Sequence, residues 1–267
     1  MPPLIDPKAL ARTYNHPSKD PWEAVQLYRE AMAYSDDWGA QRVASAINSD
    51  QANDFEGISR GEVRAWVGGD SKPDAARAVD LARDFGWDAE EWTDTVRALA
   101  KLVIGVYTFG SIIERNYSPS WSPDDDESEH VIERALDTVG VGYRHVQRDD
   151  PSQGDEIRPD SHATRLGRAL VVAGAPVGDK NSCSVSGLPE WVADAPMVLK
   201  MEMALLFVRG RGSRRPGKAT LQIQADRPLQ YFKDVAQLLE DMTGETATAS
   251  DVGVTISADA VRELGLA

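Results

Sequence analysis

Two mostly apolar stretches with helical spacing, residues 93–109 and 198–208, each stand at the head of the same order of elements. After the first come an extended stretch (111–121), a helix (127–138), short extended pieces at 143–147 and 156–158, and a helix (163–173). After the second come a strand (219–224), a helix (229–242), a strand-like run (252–257) and a short helix (258–264). A recurring helix–strand–helix–strand order constrains the second part of the chain to an internally duplicated α+β fold.

Residues 21–100 read differently, as helices joined by short loops. The first, 21–35, carries Val25, Leu27, Tyr28, Ala31 and Met32 at helical spacing, and a second near 40–47 places Val43, Ala44 and Ile47 on one face. Ser59 is a good N-cap for a third helix, with Val63, Trp66 and Val67 turned inward. A fourth runs through 75–85 and ends at Gly86. The change of pattern puts a boundary near 88–92. It gives a helical domain at 1–90 and an α+β domain at 91–267, with repeats at about 92–175 and 196–267.

The chain holds 43 Asp+Glu against 29 Lys+Arg, a net charge of -14. Asp outnumbers Glu 27 to 16 and Arg outnumbers Lys 21 to 8, a balance that resembles proteins of salt-loving archaea. High internal salt would screen the repulsion, so net acidity does not exclude nucleic acid. No apolar run is long enough for a membrane span. The start, MPPLIDPKAL, lacks the pattern of an export signal, so a cytoplasmic location is expected. One cysteine, Cys183, excludes an internal disulfide and a multi-cysteine zinc site.

Against this background, Arg209, Arg211, Arg214, Arg215 and Lys218 fall within ten residues that contain no acid. Such a cluster needs an anionic partner, and polyphosphate is the first expectation. A second set lies upstream. The segment 40–72, with GISRGEVRAWVGGDSKP at its end, resembles a helix-turn-helix, although 48–57 is longer than the usual turn. Arg60 and Arg64 lie one turn apart beside the inward stripe, placed to reach a major groove. Ser59 and the helix N-terminus would face a phosphate, and Arg42 and Lys72 complete the expected DNA-binding set.

The stretch LGRALVVAGAPVGDK, then LPEWV, then VLKMEMALLFVRGRGS resembles the linker and second motif helix of the LAGLIDADG homing-endonuclease family. The first motif helix would be LVIGVYTFGSI, residues 102–112, and the resemblance covers most of 95–267. It implies two αββαββα repeats, two apolar helices packed at the centre and a saddle of strands on DNA. Gly105 would then ease the close approach of the central helices. Family nucleases need an acid at the end of each motif helix to hold Mg²⁺. Here the first end reads Tyr107-Thr108-Phe109-Gly110-Ser111 and the second Val208-Arg209-Gly210-Arg211-Gly212. A guanidinium there would repel a divalent cation and attract phosphate. The expectation is a DNA-binding scaffold with no catalytic residues, no metal centre of the family type and no cofactor.

Other candidates are weaker. The run Asp124, Asp125, Asp126, Glu127 precedes a helix and suits its positive end. His130, His145 and His162 lack zinc spacing and read as structural or surface residues. Tyr117 and Trp121 would either stack on sugars and bases or have a core or surface role. No GxSxG, Walker A or GxGxxG pattern occurs. The expected function is therefore sequence-specific recognition of double-stranded DNA by a transcription regulator, as monomer or homodimer and without a membrane partner. Two alternatives stand beside it: a Mg-dependent endonuclease using acids such as Glu114, Asp124 or Asp126, and an RNA- or protein-interaction module.

Overall fold

The computed structural model describes residues 2–35, 38–49, 57–68, 71–147, 155–181, 185–214 and 216–266. Arg215, Cys183 and most of the long turn at 48–57 lie outside the described residues. The chain is α+β, with helices and two small antiparallel sheets. It divides into one unit of Ile5–Asp84 and another that comprises Met1–Leu4 and Phe85–Ala267.

The smaller unit is helical. Asp6 caps α1 (Pro7–Arg12) and Asp20 caps α2 (Pro21–Tyr34), each accepting from two backbone amides, with proline at the first helical position. Helices α3 (Ala40–Ser49), α4 (Arg60–Gly68) and α5 (Asp74–Asp84) follow. Helix α2 serves two apolar clusters. Leu27 and Ala31 meet Val43, Ala44, Ile47, Ile58 and Val63, with Trp66 and Val67 packed alongside. Val25 meets Ala11, Ala75, Ala76 and Val79. Helix α1 has no counterpart in the sequence reading, because six residues are too few to show a period.

In the larger unit, α6 (Asp94–Thr108) is buried along nearly its whole length from Val96 onward. The order continues through β1 (Gly110–Ile112), β2 (Pro119–Trp121), α7 (Asp126–Thr138), β3 (Tyr143–Val146), β4 (Glu156–Pro159) and α8 (Ala163–Val172). A 3-10 turn at Glu190–Val192 precedes α9 (Met197–Arg211). Then come β5 (Gly212–Arg214), β6 (Leu221–Gln224), α10 (Leu229–Thr243), β7 (Ala247–Ser250), β8 (Gly253–Ile256) and α11 (Ala258–Glu263). The sheets have the orders β1-β2-β4-β3 and β5-β6-β8-β7, antiparallel throughout. Helix α6 packs against α7 and α9, and α9 against α10.

Several expectations need correction. The extended stretch 111–121 is a hairpin, β1 and β2, whose connection puts Tyr117 at φ 56. Strand β5 was not expected, because Gly-Ser-Arg has no β-branched or aromatic residue to signal it. Gly105 does not ease the approach of the central helices. A Cβ there would lie 2.8 Å from Ile132 and 2.9 Å from the Trp121 indole, so the glycine makes room for the hairpin and α7. Gly210 meets the C-terminal end of α6 instead, where a Cβ would lie 2.5 Å from Phe109. Trp121 is fully buried, with its indole N–H donating to Leu102 O at 3.3 Å, so it belongs to the core and does not stack on a ligand.

Candidate nucleic-acid interface

Strand alternation sends one set of side chains toward the helices and the other away from them. In the second sheet Leu221, Ile223, Val254 and Ile256 are buried, and the residues between them form a cross-strand row. Ser213 pairs with Gln222, Gln222 with Thr255, and Thr255 with Thr248. The Gln222 amide reaches the Thr255 hydroxyl at 3.4 Å. The first sheet has a corresponding set. Ser111 pairs with Ser120, their hydroxyls 3.3 Å apart, and Arg158 pairs with Arg144. Glu156, on the same face as Arg158, accepts from its Nε at 2.6 Å. These rows hold neutral hydrogen-bonding groups and guanidiniums, with no free carboxylate in the named pairs.

The last turns of α6 and α9 border the strands that follow them, and cations line both. Lys180 donates its ammonium to Val106 O at 2.7 Å and to Gly110 O, satisfying carbonyls at the negative end of α6. Burial, then Arg211 and Arg227, push the Lys180 ammonium down to about 7. Arg227 gives its Nη1 to Asp226 O at 2.7 Å, whereas its Nε is buried with no hydrogen-bond partner among the described residues. Burial raises the Tyr231 phenol to about 12 despite Arg227 and Arg211. The segment carrying Lys180 is held by Tyr107, whose hydroxyl donates to Gly174 O at 2.8 Å, and by Trp191, which donates to Ala173 O at 2.8 Å.

The expected basic cluster is divided among several roles. Arg211 and Lys218 are exposed. Arg214 is exposed on β5 and donates to Leu266 O. Arg209 turns onto Glu127, so its charge is met inside the chain. Glu127 belongs to the acidic run that opens α7, where Asp125 caps Ser128 N at 3.0 Å.

In the helical unit, Ser59 and Glu62 form a reciprocal cap on α4. Ser59 N donates to Glu62 Oε2 at 2.8 Å, and Glu62 N to Ser59 Oγ at 3.1 Å. Lys19 lies 3.3 Å from the same carboxylate. The Ser59 hydroxyl is thus engaged by its own helix. Asn48 clasps Ile58, giving Nδ2 to its carbonyl at 2.9 Å and accepting its amide at 2.8 Å. Arg60 and Arg64 are exposed, and neither forms an ion pair with another of the described residues. Arg42 is exposed and lies 4.2 Å over the Trp38 ring. Lys72 pairs with Asp80, which Arg29 also reaches at 2.9 Å.

Sequence reasoning missed Lys180 and Arg227 as members of the α6/α9 end, and Arg144, Arg158, Gln222 and Thr255 as members of the rows. The alternation Leu-Gln-Ile-Gln in β6 carried a signal for Gln222. Lys180 and Arg227 are isolated cations that only the fold brings near α6 and α9. No protein-family model matches the chain, and no curated protein matches it significantly.

Proposed function

We propose that this protein binds double-stranded DNA sequence-specifically, as a transcription regulator, through a scaffold of the homing-endonuclease kind that lacks the family's acids. The observation that carries this reading is the pair of cross-strand rows. In a chain of net charge -14, the named partners Ser213, Gln222, Thr255 and Thr248 offer hydrogen-bonding groups and Arg144 an exposed positive charge, while the charge of Arg158 meets Glu156. Hydrogen-bonding side chains on strands suit base edges, and arginines suit guanine edges and phosphates. The element order helix–strand–strand–helix–strand–strand–helix, occurring twice with corresponding strand orders, supports the duplicated architecture.

The proposed division of labour follows from the partners each cation has. Arg211, Arg214 and Lys218 neutralise backbone, with Arg215 completing the run in sequence. Arg60 and Arg64 on α4, with Arg42 on α3, read or clamp a major groove. Lys72 and Arg209 have a supporting role, since their charges meet Asp80 and Glu127.

The test is selection of bound fragments from a random duplex pool at high potassium chloride, followed by a plasmid-nicking assay with Mg²⁺. Enrichment of one duplex motif without nicking is expected. Nicking would establish an endonuclease, and equal retention of RNA or of every sequence would overturn sequence-specific duplex recognition.

A further inference from the structure

The geometry points to a phosphate site at the abutting ends of α6 and α9, formed by Lys180, Arg211 and Arg227 and suited to a dianion, inorganic phosphate or a phosphate monoester. A Cβ at Gly210 would lie 2.5 Å from Phe109, so the last turns of the two helices touch, and Arg211 is the next residue. Lys180 is tied to the same end of α6 through Val106 O, at 2.7 Å, and Gly110 O. Tyr107, on that turn, stacks with Tyr231 at 6.1 Å, and the Arg227 guanidinium lies 5.9 Å from the Tyr231 ring.

The donors left over supply the argument for an anion. Arg227 has a buried Nε with no hydrogen-bond partner among the described residues, while its Nη1 is held by Asp226 O. A buried donor of this kind calls for an acceptor from outside the chain. Two of the three N–H groups of the Lys180 ammonium meet carbonyls, which leaves one. The Arg211 side chain is exposed and forms no hydrogen bond or ion pair with another described residue. The three cations oppose one another instead. Burial comes first and Arg211 and Arg227 next in lowering the Lys180 ammonium. Burial and Arg211 also work against the charge on Arg227, and the Asp226 carboxylate offsets only part of this.

Direction and charge set the ligand class. A guanidinium presents its N–H groups in a rigid fork that matches oxyanion geometry, and an ammonium adds a point charge. A tetrahedral phosphate accepts from all three groups at once, whereas a halide has no such spread of acceptor atoms. Three cations beside one carboxylate favour a dianion over a singly charged diester. The site stands without DNA. A duplex held by its other contacts would bring a diester to the same cations.

Calorimetric titration of the full chain with potassium phosphate at pH 8, in potassium chloride of fixed ionic strength, tests the assignment. No DNA is present, so a failure of duplex recognition leaves the result untouched. One saturable equivalent is expected, weakened at least tenfold in Arg227→Gln and in Arg211→Gln. Arg97→Gln, near the opposite end of α6, should bind as the parent does, and circular dichroism confirms that each variant is folded. Methyl phosphate separates the two sources: binding admits monoesters, and no binding restricts the site to the free ion. Dimethyl phosphate should bind at least tenfold more weakly than inorganic phosphate. As an independent readout, phosphate should raise the melting midpoint of the parent more than that of Arg227→Gln. No saturable uptake by the parent, or uptake undiminished in folded Arg227→Gln and Arg211→Gln, would overturn the site. Dimethyl phosphate bound as tightly as inorganic phosphate would overturn the preference for a dianion.

Discussion

Lys180 donates its ammonium to the carbonyl oxygen of Val106 at 2.7 Å, placing a half-buried cation at the negative end of a buried helix. Burial and the charges of Arg211 and Arg227 lower its pKa from 10.5 to about 7. Between those values the folded chain holds fewer protons than the unfolded chain. Folding stability therefore rises with pH through that window, and the destabilising effect is complete below it. A DNA phosphate near Arg211 would restore the proton. Duplex binding at pH 8 should take up protons, seen as a dependence of binding enthalpy on the buffer's ionisation enthalpy. Lys180→Gln should remove that dependence. A parent protein that binds with no buffer effect would place the phosphate elsewhere.

The helical unit should be acid-labile. Burial opposes ionisation of Glu62, but bonds from Ser59 and the Lys19 ammonium outweigh it and hold the carboxyl below 4.5. Asp80, between Lys72 and Arg29, is held below 3.8 by the same balance. For carboxyls lowered in this way, stability is present above the unfolded value and lost as pH falls through the folded one. Thermal melts should show the unit's midpoint falling below pH 4, and a Glu62→Gln variant should fall less. A midpoint flat to pH 3 would contradict these pairings.

Ser59→Ala removes one half of the reciprocal cap on α4 and should cost about 1 kcal/mol. Denaturant unfolding measures it. If the loss instead exceeds that of Glu62→Gln several-fold, the hydroxyl has a partner beyond the Glu62 amide.

Gly167 on α8 faces the hairpin connection directly. A Cβ there would lie 1.7 Å from the Tyr117 carbonyl oxygen, a backbone atom that cannot swing aside. Gly167→Ala should cost about 3 kcal/mol or more, since the helix or the connection must shift. Gly217, where a Cβ meets nothing within 4 Å, is the comparison for packing, although its φ of 74 adds backbone strain. A loss at Gly167 no larger than that at Gly217 would contradict the close approach of Tyr117 to α8.

Much of the fold was legible because the helices are long and periodic. The apolar runs at 93–109 and 198–208 became α6 and α9, and the stripe of Val63, Trp66 and Val67 faces its cluster as read. Short strands were harder. Three-residue β1, β2 and β5 cannot display an alternation, so the 111–121 hairpin looked like one strand. Within the candidate site, charge counting found the cluster at 209–218 but could not see that Arg209 meets Glu127 or that Lys72 meets Asp80. Partners distant in sequence carry no local signal. His145 illustrates the same limit, since its carboxylate neighbours lie 12 and 16 positions upstream on another element.

Arg64 should govern preference, not overall grip. With Arg64→Ala, the ratio of affinities for the selected duplex and a scrambled one should fall, by roughly five- to hundredfold for a base contact worth about 1–3 kcal/mol. An unchanged ratio would remove α4 from base reading.

The most direct measurement is the salt dependence of duplex affinity for the parent and for Arg211→Glu/Arg214→Glu, by fluorescence anisotropy across a potassium chloride series. If the α9 end and β5 hold DNA backbone, the variant binds every duplex more weakly and its log–log slope flattens by about 2. Affinity and slope equal to the parent's would show that the basic end of α9 does not face DNA.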